Sequence, residues 1–147
     1  MNQKELTQHL KQVKILCASQ GARLTPQREQ VLSLIMRSKK PLTAYELLEG
    51  MRQEDKTPAP PTVYRALEFL QEQGLIHKLE SLHAFVGCNH PEHPHAGQFL
   101  ICTDCGEVNE VCNHELDKSL NAVEKNQGFN LQRPVIELLG RCASCQK

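Results

Sequence analysis

The chain has 147 residues, 17 basic and 17 acidic, so its net charge is zero, with 39% hydrophobic and 4% aromatic residues. That is the composition of a soluble globular protein, and no apolar run approaches the ~18 residues that a membrane span needs. The polar start, MNQKELTQHLKQ, lacks the apolar core of a signal peptide, so a cytoplasmic location is expected.

Charge is unevenly spread. Residues 1–80 carry 12 basic and 9 acidic groups, whereas residues 81–147 carry 5 and 8. Lys4, Lys11, Lys14, Arg23 and Arg28 face a single acid, Glu5, within the first 28 residues. A local basic face of this kind suits a polyanion better than the zero sum suggests.

In chain order, Leu6, Leu10, Val13 and Cys17 recur at helical spacing and predict a helix over residues 3–20, with Gly21 as its stop. Thr25 as cap and Pro26 as first residue open a second helix, whose buried side is Val31, Leu32, Leu34 and Ile35. Thr43 and Glu46 form a capping box for a third, with Leu47, Leu48 and Met51 inward. The stretch QEDKTPAPP reads as a loop, and PTVYRALEFLQEQG as a short, well-capped fourth helix between Pro61 and Gly74. Leu75–Glu80 and Ala84–Cys88 alternate as a β-hairpin. Helices followed by a hairpin, with a short helix last, form a winged helix-turn-helix whose last helix enters the major groove.

The segment NHPEHPHAG is a Pro/Gly/His linker. Beyond it, residues 98–102 and 107–112 read as strands, 114–127 as a helix between Asn113 and Gly128, and 129–140 as a last strand. The expected class is α+β: a winged helix-turn-helix DNA-binding domain over 1–88, a hinge over 89–97, and a small α/β domain over 98–147. About 50 residues rarely sustain a core unaided, so the last domain needs a staple or a partner.

Seven cysteines cannot all pair within one chain, and a reducing compartment favours metal or catalytic roles for them. Cys102-x-x-Cys105 and Cys142-x-x-Cys145 are two knuckles with 36 residues between them, and two such pairs complete a closed zinc site of four thiolates. Four of the seven histidines fall between residues 83 and 95. With His77, Cys88, Glu110, Cys112 and His114 they are candidates for a second metal site near the domain boundary, where mixed thiolate and imidazole donors favour zinc over iron(II) or manganese.

Leu24-Thr25-Pro26-Gln27-Arg28, Ala44-Tyr45-Glu46-Leu47-Leu48, Pro61-Thr62-Val63-Tyr64-Arg65-Ala66-Leu67, Gly74-Leu75-Ile76-His77-Lys78 and the two CxxC pairs together resemble the ferric uptake regulator superfamily, and within it the zinc uptake regulator group. The resemblance runs from about residue 13 to Cys145. It implies a dimeric, metal-dependent transcriptional regulator whose C-terminal domain is the dimerisation domain. Carried over by position, it makes Tyr45, Tyr64 and Arg65 DNA contacts. It makes Cys102, Cys105, Cys142 and Cys145 the structural zinc ligands, and His77, Cys88, His95 and Glu110 the regulatory ones.

The expected function is thus a repressor of zinc-uptake genes with zinc as corepressor, two zinc ions per subunit. Its partners are operator DNA and a second copy of itself, with one or two dimers on an operator. Two features depart from iron-type members: the His-rich segment is broken by prolines, and no histidine follows His114, Arg133-Pro134 standing in the last strand instead. Cys112, two residues from Glu110, is the rival ligand at that position, and His93 and His90 are the rivals of His95, which is chosen for lying seven residues before Cys102. An enzyme is the competing reading, but a closed four-thiolate site leaves no open position for a substrate, and no nucleophile–base constellation is evident. A zinc-ribbon interaction module is another, and the helix carrying Tyr64 and Arg65 argues against it; a regulator of the same family sensing iron, manganese or peroxide is a third, and Cys88 argues against that, since a thiolate in the sensing site suits zinc.

Overall fold

A computed structural model describes residues 1–54, 58–92 and 97–147. The chain divides into two compact units, Met1–Pro94 and His95–Lys147. No helix among the described residues is long and apolar enough to cross a membrane.

The first unit holds α1 (Gln3–Ser19), α2 (Pro26–Arg37), β1 (Leu42–Thr43), α3 (Ala44–Gln53), α4 (Pro60–Glu72), β2 (Ile76–Leu79) and β3 (Ala84–Gly87). Each boundary has a local cause. Asn2 caps α1 through a capping box with Glu5, Thr25 caps α2 ahead of Pro26, and Thr43 with Glu46 makes the capping box of α3. The fourth helix differs from expectation. It begins one residue earlier, at Pro60, after Ala59, with no side-chain cap. Two prolines in its first turn replace the cap, since they lack the N–H groups that a cap would satisfy.

Val13, Cys17, Val31, Leu32, Leu47, Met51, Val63, Leu67 and Leu70 fill one core with each helix giving one stripe. Cys17 is fully buried there, as its place in the α1 stripe predicts. The hairpin forms as expected, His77 opposite Val86 and Lys78 opposite Phe85, with His83 at φ +48° in its turn. Leu42 and Thr43, of which the sequence marks only Thr43 as a helix cap, add a third strand against Phe85 and Ala84, so the sheet order is β1-β3-β2.

The second unit holds β4 (Gln98–Cys102), β5 (Val108–Val111), α5 (His114–Gln127), β6 (Ile136–Gly140) and a 3-10 turn, Ala143–Gln146. The sheet order is β5-β4-β6, with β4 antiparallel to β5 and parallel to β6. A parallel return needs a crossover, which α5 supplies. Asn113 caps α5 by accepting from the Leu116 N–H, and Gly128 at φ +60° ends it in the left-handed conformation that glycine adopts without a Cβ penalty. The last strand is shorter than expected, because Pro134 cannot join a ladder and regular pairing starts only at Ile136.

Candidate metal centre and nucleic-acid interface

The parallel pairing of β4 with β6 sets Cys102 beside Gly140, so both knuckles leave the sheet at the same end. The first is a tight turn: the Gly106 N–H donates to the Cys102 carbonyl at 3.0 Å and the Cys102 N–H to the Glu107 carbonyl at 2.9 Å. The second is the 3-10 turn, where the Cys145 N–H donates to the Cys142 carbonyl at 3.0 Å. The Thr103 N–H and hydroxyl both donate to the Gly140 carbonyl, at 2.8 and 3.1 Å, tying one knuckle to the other.

The sulfurs of Cys102, Cys105, Cys142 and Cys145 all lie within 4.8 Å of one another, and those of Cys105 and Cys142 are 3.8 Å apart. Four sulfurs held ~2.3 Å from one ion in a tetrahedron stand about 3.8 Å apart, which is the Cys105–Cys142 separation. The Cys142 N–H also donates to the Cys102 sulfur at 3.3 Å. Backbone N–H groups of Cys105 and then Cys142 pull the Cys102 thiol down to about 6, while the neighbouring Cys142 sulfur pushes Cys145 up. Four thiols this close cannot all ionise alone; a divalent cation stabilises the four thiolates and releases their protons. The donor set is soft and closed, which suits structural zinc and leaves no open position for catalysis.

In the hairpin, His77 lies on β2 and Cys88 follows β3, where its N–H donates to the Leu75 carbonyl at 2.9 Å. A ring nitrogen of His77 and the fully buried sulfur of Cys88 lie within 4.8 Å of each other. Glu110 is half-buried on β5, opposite Phe99. Cys112 lies beyond the end of β5 and is exposed. His95 falls outside the described residues.

On α4 the apolar stripe faces the core, and Pro61, Tyr64, Arg65 and Glu68 lie on the exposed side. Tyr64 is 62% exposed, and Tyr45, in the first turn of α3, is 70% exposed. Arg65 and the two tyrosines are thus available to a groove. The basic N-terminal segment is less uniformly available than the sequence implies. Lys14 pairs with Glu29 at 3.0 Å. The Arg28 guanidinium stacks over Phe69 of α4 at 3.8 Å and donates to the Arg23 carbonyl, so it buttresses α4 from behind. Lys4, Lys11 and Arg23 are exposed. Glu49 and Arg52 pair within α3 at 2.6 Å.

Sequence reasoning missed two further contacts. The Arg28–Phe69 stack has no spacing signal, because it joins separate helices. Gln98 is buried; its amide donates to Asp117 at 2.7 Å and its carbonyl oxygen accepts from the Asn113 N–H at 3.2 Å, fastening β4 to the start of α5.

A family model described as the ferric uptake regulator family matches residues 19–139. The zinc uptake regulation protein of Escherichia coli K12 is 41% identical over 145 residues, covering 97% of this chain and 85% of that protein. Among solved structures, a zinc uptake regulator complexed with zinc and DNA is 39% identical with a TM-score of 0.91, covering 96% of this chain and 95% of the other. A second, holo XcZur, is 44% identical with a TM-score of 0.88, covering 95% and 97%.

Proposed function

The chain belongs to the ferric uptake regulator family, and from that premise we propose that it is a zinc-responsive, DNA-binding repressor of zinc-uptake genes, with zinc as corepressor. It is a regulator and not an enzyme, and it acts in the cytoplasm as a homodimer on operator DNA, one or two dimers to a site. Leu100, Leu138 and Leu139, all exposed in the single chain, support a second copy as the partner of the C-terminal unit.

Two zinc ions serve each subunit. One is structural, on Cys102, Cys105, Cys142 and Cys145, and the cage dimensions support it. The other is regulatory, on His77, Cys88, His95 and Glu110. The observation that carries zinc rather than iron as the signal is the pairing of the His77 ring with the buried Cys88 thiol in the wing hairpin, a soft donor set within the DNA-binding unit. Glu110 and His95 complete the set by their correspondence to the family pattern.

Bound zinc supplies a cross-link among these donors. Tyr64 and Arg65 then read base edges while Lys11 and its neighbours meet phosphate. In a two-fold dimer the recognition helices must match the spacing of the half-sites. Turning a mostly incompetent population into a mostly competent one takes about 5.5 kcal/mol of differential binding, which a four-ligand site can supply. The domains proposed are residues 1–88 for DNA binding, 89–97 as hinge and 98–147 for dimerisation.

The test is metal analysis of the purified chain paired with operator binding titrated against free zinc. Two zinc ions per subunit, one of them exchangeable, with operator binding that tracks the second, support the reading. Operator binding that follows iron(II) and ignores zinc overturns it.

A further inference from the structure

The four-thiolate cage has an outer contact that neither the family match nor the ligand set assigns. Asp104 lies inside the first knuckle, between Cys102 and Cys105, and Arg141 stands immediately before the second. The Arg141 Nε donates to the Asp104 carboxylate at 2.6 Å. A terminal guanidinium nitrogen of the same side chain donates to the Cys145 carbonyl. The Arg141 carbonyl in turn accepts from the Gln146 amide at 2.9 Å. One side chain thus holds the turn of the first knuckle and the last residue of the second.

We propose that Arg141 and Asp104 form a clasp that holds the two zinc knuckles together and slows loss of the structural zinc. The inference rests on zinc occupying the four thiolates, and is independent of the DNA-binding reading. Two physical arguments carry it. The guanidinium is a planar fork whose separate N–H groups bond Asp104 and the Cys145 carbonyl at once, a geometry that a lysine ammonium does not reproduce. The segments it joins carry all four thiolates, two on each, and because Asp104 balances the Arg141 charge the clasp acts on the cage through this connection and not through charge. As an exposed ion pair alone, Arg141–Asp104 would contribute little to folding. Its effect is on the metal, because the segments it joins each carry ligands. Zinc leaves by opening one knuckle, and the clasp opposes that motion.

The pair is a positioning pair, and it is tested on the full-length zinc-loaded protein. The rate at which the last zinc of each subunit passes to excess chromogenic chelator is measured for wild type, Arg141→Ala, Arg141→Lys, Asp104→Asn and the swapped Asp104→Arg/Arg141→Asp. Far-UV circular dichroism and zinc content are recorded before chelator is added. Loss of outer contacts to a metal site commonly costs about 10–100-fold in affinity, so Arg141→Ala should release zinc about 10–100 times faster. Asp104→Asn should release faster too, and adding Arg141→Ala to it should bring less than the product of the two effects. Arg141→Lys, the milder change should Arg141→Ala not fold, should fall between wild type and Arg141→Ala. The swapped pair should recover part of the rate. Release from Arg141→Lys and Asp104→Asn at the wild-type rate overturns the clasp, as do strictly multiplicative effects. A wild-type chain that retains no zinc against a mild chelator overturns instead the zinc assignment on which the clasp rests.

Discussion

Replacing Cys142 with serine removes one of four sulfurs from the cage and, with it, the N-terminal ligand of the second knuckle. The C-terminal unit has little else to hold it. Among its described residues the buried apolar side chains are Phe99, Ile101 and Cys102, and α5 buries none. Cys102 counts with the metal, and full burial of a large apolar side chain is worth ~1.5–3 kcal/mol, so Phe99 and Ile101 together provide about 3–6 kcal/mol, well under the ~10–16 kcal/mol of apparent binding free energy that structural zinc provides in small zinc domains. That contribution is as large as the whole ~5–15 kcal/mol stability of a typical domain. Cys142→Ser should therefore leave the first unit folded and unfold the second, with loss of the dimer. The assay is zinc content, size-exclusion chromatography and amide hydrogen exchange on one sample: exchange should become fast across β4–β6 while α2–α4 stay protected. A folded Cys142→Ser dimer without zinc would refute the staple.

Three further outcomes follow from particular contacts. Arg65→Ala should cost ~1–3 kcal/mol of binding to operator with much less effect on random DNA, whereas Lys11→Ala should weaken both and flatten the salt dependence; equal losses for Arg65→Ala would make it a phosphate contact. A Cβ at Gly87 would lie 2.0 Å from the Met36 sulfur, so Gly87→Ala should destabilise by ~1–3 kcal/mol in urea unfolding, towards the lower end because methionine bends, and Met36→Ala should relieve it. Arg37 first, then Gln30, hold the Glu54 carboxyl below its ordinary value of 4.5. Its stabilisation is in full force above that value and is lost as pH falls through the lower, folded one. The pair is exposed, so Glu54→Gln should cost at most about 1 kcal/mol at neutral pH, with the gap from wild type closing in acid; a gap independent of pH would assign the effect to hydrogen bonding alone.

What was legible in the sequence was local chemistry. Thr43 with Glu46, Asn113 with Gly128, and the two CxxC pairs act over a few residues or carry a fixed ligand spacing, and each is found where the sequence puts it. What was not legible depends on neighbours distant in the chain. Leu42–Thr43 is too short for an alternation to show, and it is a strand only because Phe85 and Ala84 lie beside it. The last strand was read too long because apolar content continues through Val135, whereas pairing with β4 begins at Ile136. Period-two reasoning put Cys112 on the face of Glu110, but β5 ends at Val111 and the alternation no longer governs Cys112. The Arg141 clasp was hidden for the same reason: Arg141 lies 37 positions after Asp104 in sequence, and only the β4–β6 pairing joins them.

The most direct test of the zinc-sensing account is operator binding as a function of free zinc for Cys88→Ser beside wild type and Cys112→Ser. Cys88→Ser should be a folded dimer that keeps one zinc per subunit and binds operator weakly at every zinc concentration, while Cys112→Ser responds as wild type does. Cys88→Ser that binds operator with unchanged zinc dependence would contradict it.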